Sequence, residues 1–115
     1  MLVDYQTART LLVNQGMPPE QNSDALITRL KQGQPPIPGQ VTSILLALKV
    51  AFEELRDVHE LERELVCSLY LLAEESRRLF EAGRRAGVPW PPLLDEDLSR
   101  ITAAVRSIFV GTWQG

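Results

Sequence analysis

The chain is poor in the side chains that carry metal and nucleophilic chemistry: 115 residues contain one cysteine and one histidine. Cys67 has no second thiol with which to close an intramolecular disulfide. It lies within the apolar run Leu65-Val66-Cys67-Ser68-Leu69, where a free cysteine is expected to be a buried, inert packing residue. His59 has Arg56 three residues before it, so the Glu-x-x-His spacing of a di-metal helical bundle is absent. No Gly-x-x-x-x-Gly-Lys, Gly-x-Gly-x-x-Gly or Gly-x-Ser-x-Gly occurs, which removes the common phosphate cradles and the nucleophile elbow. These gaps predict a protein with no catalytic residue, no metal and no cofactor, hence not an enzyme.

Long apolar runs are missing too. No uninterrupted one is longer than Leu69 to Ala73, which extends back to Leu65 only by admitting Ser68. A bilayer span needs about 20 such residues. Met1-Leu2-Val3-Asp4 does not open a charged region followed by an apolar one, so the expected location is the cytoplasm. Twelve Lys and Arg against fifteen Asp and Glu give a net charge of −3. That balance argues against nucleic acid as partner, because phosphate neutralisation needs cations gathered without interleaved acids. Alternating strand patterns and internal repeats are absent as well.

What the chain does have is helical periodicity. From Gln40 to Ala86 apolar side chains recur at spacings of three and four, which predicts a long helical hairpin with arms at about 40–56 and 58–86. The first arm carries Val41, Ile44, Leu45, Leu48, Phe52 and Leu55. The second has one row at Leu61, Leu65, Leu69, Leu72 and Leu79 and another at Val66, Tyr70, Ala73 and Phe80, so it is expected to be the central helix. Asp57-Val58-His59-Glu60 matches the capping-box spacing and places the break between the arms. A first helix is predicted at about 4–14, capped by Asp4 and closed by a left-handed Gly16. A short second helix is capped by Asn22 or Ser23 and closed by Gly33. A C-terminal helix at about 95–110 starts on Asp95, Glu96 and Asp97, which complement the positive end of its dipole, and stops at Gly111. Two stiff proline-rich links, 33–39 and 88–92, join these pieces. The fold class is therefore all-α: one domain, 1–115, forming a four- to five-helix bundle on the hairpin.

Three surface groups invite a functional reading. Glu53, Glu54, Asp57, Glu60, Glu62 and Glu64 crowd the junction of the hairpin; Arg56 and Arg63 interleave them and no glycine-pivoted loop organises their oxygens, so a solvated face is expected rather than a cation site. Arg77, Arg78, Arg84 and Arg85 form two adjacent pairs seven residues apart, which puts them on nearly one face near a helix C-terminus. There they complement the dipole and have Glu74, Glu75 and Glu81 within reach, yet four guanidinium groups also suit a carboxylate- or phosphate-bearing partner. Trp90 and Trp113 stand outside the helix interiors. Tryptophan and arginine are enriched at binding hot spots, so Arg77, Arg78, Arg84, Arg85, Trp90 and Trp113 make up the candidate partner-binding set.

In Gly33-Gln34-Pro35-Pro36-Ile37-Pro38-Gly39-Gln40-Val41, in Phe80-Glu81-Ala82-Gly83-Arg84-Arg85-Ala86-Gly87-Val88-Pro89-Trp90-Pro91-Pro92-Leu93-Leu94 and in Gly111-Thr112-Trp113-Gln114, the chain resembles a family of small, functionally uncharacterised cyanobacterial proteins. The resemblance implies a cytoplasmic accessory protein of a photosynthetic bacterium and brings no active site with it. A dethiobiotin synthetase label attached to some such proteins implies a phosphate-binding loop, which is missing here. The expected function is non-enzymatic protein–protein interaction or assembly, with a homodimer as the expected oligomer and another protein as partner. The alternative is a small-molecule or anion sensor using Arg77, Arg78, Arg84 and Arg85.

Overall fold

The computed structural model describes residues 4–114. Five helices follow one another: α1 (Tyr5–Gly16), α2 (Leu26–Lys31), α3 (Gln40–Leu55), α4 (63–85) and α5 (Leu94–Val110). No strand occurs among the described residues, so the all-α bundle read from the periodicity is the fold. Helix α4 is continuous but not uniform. Its α-helical ends, Arg63–Tyr70 and Ser76–Arg85, flank a π-helical turn at Leu71–Glu75.

The long helices stand at the corners of a ring. Helix α1 packs along α3 and along the first half of α4, while α5 packs along α3 and along the π turn and second half of α4. The hairpin arms α3 and α4, consecutive in sequence, thus occupy opposite corners with α1 and α5 between them. Gln15 near the end of α1 reaches Gln40 at the start of α3, so these two run antiparallel. Arg77 in α4 reaches Asp95 at the start of α5, so that pair is antiparallel as well. Helix α1 runs parallel to α4, Gly16 meeting Ser68 as Arg9 meets Glu64, so α3 and α5 run in the same direction and finish at the same end of the bundle. Helix α2 lies across α1 and the later part of α4.

Apolar burial builds the core from all five helices: Leu12, Leu26, Ile44, Leu48, Leu65, Leu69, Leu72, Leu94, Leu98 and Ile101 are among its fully enclosed side chains. Each stabilises the fold by roughly 1.5–3 kcal/mol relative to leaving it in water. Ser68, Ser76 and Ser107 are buried with them. Their hydroxyls donate to the carbonyls of Glu64, Leu72 and Ala103, one turn back, so none is left orphaned.

Several local expectations change. Asp4 does cap α1, accepting from the Thr7 amide at 2.8 Å. Gly16, however, stays within the helix instead of turning left-handed; it is buried, and a Cβ there would lie 2.4 Å from the Ser68 carbonyl oxygen. Its small size lets α1 and α4 meet backbone to backbone. Asn22 accepts from the Asp24 amide in a local turn and does not cap α2, which begins only at Leu26. The Leu26 amide is instead accepted by Gln15 of α1 at 2.7 Å. The capping box at Asp57 to Glu60 is not made: 56–62 is a connecting segment, and α4 starts five residues beyond the predicted position. Arg9 holds that segment to α1 by donating to Glu62 at 2.6 and 2.7 Å and to Glu64 at 2.6 Å. Within α4, Tyr70 points outward and Cys67 is exposed, so the helix has an outer face and the cysteine is not a core residue.

Candidate functional site

Three of the four arginines are already engaged. Arg77 donates to the Asp95 carboxylate at 2.6 Å, to the Asp95 carbonyl at 3.0 Å and to the Ser99 hydroxyl at 3.0 Å, fastening α4 to the first turn of α5. Arg78 forms a two-pronged pair with Glu75 on the preceding turn, and the bonded guanidinium holds the Glu75 carboxyl below its usual range. Arg84 is paired with Glu81 on the preceding turn, two of its nitrogens donating to one carboxylate oxygen. Arg85, exposed at the end of α4, has no ion pair among the described residues.

The helical phase read from the sequence holds: Arg77 and Arg84 both approach the Phe80 ring, at 5.3 and 5.0 Å from its centroid. Trp90 stacks on that ring at 6.0 Å, and its indole N–H donates to the Phe80 carbonyl at 3.0 Å. Gly83 makes room, since a Cβ there would fall 2.5 Å from the indole. Trp90 thus covers the last turns of α4.

Trp113 belongs to a different place. Gly111 takes the left-handed conformation after α5, and the Gln114 amide donates back to the Ser107 hydroxyl at 2.6 Å. The tail therefore folds against α3. Trp113 meets Phe52 at 5.2 Å between ring centroids, and the Lys49 ammonium lies 4.0 Å from the centre of its ring. The six candidate residues accordingly divide: five lie around the C-terminal end of α4, and Trp113 packs on α3.

The junction carboxylates do not converge, and no group of three or more His, Cys, Asp or Glu able to hold a metal ion exists among the described residues. Glu62 is drawn below its ordinary value of 4.5, chiefly by the hydrogen bonds from Arg9. His59 is exposed in the connecting segment, as expected of a turn residue. No helix among the described residues is long and apolar enough to cross a membrane.

Sequence reasoning overlooked the end of the bundle where α3 and α5 finish. Phe109 and Val110 in the last turn of α5 are 46% and 60% exposed, Val58 just after α3 is 46% exposed, and Trp113 is 37% exposed. Gly111 rests near the Arg56 carbonyl, which ties this tail to the 56–62 segment. The signal was present in the sequence, because Phe109 and Val110 adjoin Ile108 and a single helical face cannot bury all three. Comparison of the chain with protein-family models, curated proteins and solved structures finds no match, so its function has to be argued from these surfaces alone.

Proposed function

We propose that this chain is a non-enzymatic interaction protein of the cytoplasm, which docks a protein partner on the bundle end where α3 and α5 finish and forms a homodimer through the same face. One observation carries the reading: Val58, Phe109, Val110 and Trp113 all leave a third or more of their surface exposed at that end. Large side chains grouped in this way mark interaction surfaces more often than singly scattered ones do. The arginine face is the weaker docking candidate, because Arg77, Arg78 and Arg84 would have to give up Asp95, Glu75 and Glu81 to bind a partner's acids.

Sedimentation velocity at micromolar concentration tests the dimer. The wild-type chain is expected to dimerise and Phe109→Ser/Val110→Ser to run as a monomer, with Arg84→Glu unchanged. A strictly monomeric wild type removes the dimer. Affinity capture from the native host is expected to retain a protein that the double serine variant loses. Retention by both, or loss only with Arg84→Glu, moves the site away from this end.

A further inference from the structure

The groove between α3 and α5 widens into a cleft of about 480 Å³, within the size range of small-molecule sites. Its floor is low because α5 presents Ala103 and Ala104 to Leu45 of α3, and Trp113 forms a wall where the tail folds back. Along α5 it runs from Glu96 to Ala104, eight residues or roughly 12 Å. The charges are unequal at its two ends. By Trp113 stands Lys49, its ammonium placed over the indole; among the described residues its carboxylate partner is Glu53, 3.3 Å away, and both side chains are half-exposed. Toward the other end Glu96 also lines the cleft, and Arg100 there faces two acids, Glu96 at 3.7 Å and Asp97 at 3.2 Å.

We propose that this cleft binds a small amphipathic monocarboxylate, with the acid group on Lys49 and the apolar body lying over Ala103 and Ala104 against Leu45 and Trp113. The Lys49–Glu53 pair is an exposed pair of neighbouring helix turns, which solvent screens, so exchanging Glu53 for a ligand carboxylate costs little. The ring already holds the ammonium at the cleft wall, which spares part of the ordering cost of binding. Glu96 repels a second anionic group at the far end, which selects a monoacid over a diacid. This site shares Trp113 with the docking end but not Phe109 or Val110, so Phe109→Ser/Val110→Ser tests the two readings apart.

Octanoate, kept below its aggregation concentration, is the probe, and two-dimensional amide spectra report the two tryptophan indole N–H signals separately. The Trp113 signal is expected to shift saturably while that of Trp90 stays fixed. Octanol, which has the same tail without the charge, and Lys49→Gln with octanoate are each expected to bind at least about tenfold more weakly. Ala103→Leu fills the cleft and is expected to abolish the shift without lowering the denaturation midpoint. Phe109→Ser/Val110→Ser is expected to bind octanoate as the wild type does. A fixed Trp113 signal overturns the proposal. So does an equal response to octanol, an undiminished one in Lys49→Gln, or joint movement of both indoles, each of which signifies apolar adsorption.

Discussion

Gly16 and Gly83 are both helical glycines, and each is required by what stands opposite. At Gly16 the obstacle is main chain, the Ser68 carbonyl, which cannot rotate away. At Gly83 it is the rim of the Trp90 indole, a side chain that can swing out at the loss of its bond to Phe80. Alanine normally favours a helix by up to 1 kcal/mol over glycine. Overpacking costs typically 1–3 kcal/mol and reverses that preference at both positions. Urea denaturation is expected to show Gly16→Ala destabilised by about 2–3 kcal/mol and Gly83→Ala by about 1 kcal/mol, with only Gly83→Ala changing the Trp90 fluorescence in the folded state. Gln15 acts at the same scale. It accepts from the Leu26 amide at 2.7 Å and from the Gln40 side chain at 2.9 Å, so Gln15→Ala leaves a part-buried amide unpaired. A loss of about 1–3 kcal/mol is expected, together with faster hydrogen exchange in α2.

Among the elements, one proton-dependent contribution comes from Arg9 and the 56–62 segment. Glu62 in the folded chain titrates below its ordinary 4.5 because Arg9 hydrogen-bonds its ionised form. A carboxyl depressed by folding stabilises fully above its unfolded value, and the contribution is lost as pH falls through the folded value. Stability is therefore expected to hold from neutrality to about pH 4.5 and to decline below it. Arg9→Gln should flatten that acid limb, which thermal unfolding across a pH series will show. Boundaries carried by the chain's own neighbours were legible in advance: the Asp4 cap, the left-handed Gly33 and Gly111, and the acidic first turn of α5. Those set by distant partners were not. The start of α2 depends on Gln15, eleven residues away, and the 56–62 segment depends on Arg9, more than fifty residues away, so local capping chemistry misplaced both. Tyr70 was misread for a different reason. Its row repeats correctly, but Leu65, Leu69 and Leu72 already occupy the buried side of α4.

For the molecule as a whole, most of the ion pairs lie within one helix and contribute little to stability. Those of Lys49, Arg56, Arg78, Arg84 and Arg100 join residues three or four apart on the same helix surface. Exposed pairs of this kind contribute about 0.2–1 kcal/mol each and are weakened by salt. Raising sodium chloride to molar strength is expected to change the urea midpoint only slightly, whereas Leu48→Ala, which empties a fully enclosed core position, should cost about 2–5 kcal/mol in the same titration. Of the candidate site, residue types were legible and their grouping was not: Trp90 and Arg77 prove to be fasteners, and Trp113 joins α3 through a tail turn that no local periodicity encodes.

The diagonal placement of α3 and α4 also bears on how fast the chain can fold. In a bundle whose consecutive helices touch, a hairpin forms early from contacts close in sequence. Here α3 and α4 have little to hold each other with until α1 has arrived from some fifty residues upstream to pack on α4 and Arg9 has caught Glu62. Loop closure over that distance must come before most of the burial that rewards it. Stopped-flow refolding should accordingly be slower than for an up-and-down bundle of equal length, and Gly16→Ala should lower the folding rate rather than only raise the unfolding rate. The order in which helices leave the ribosome, α1 first, supplies the piece on which the later pair depends.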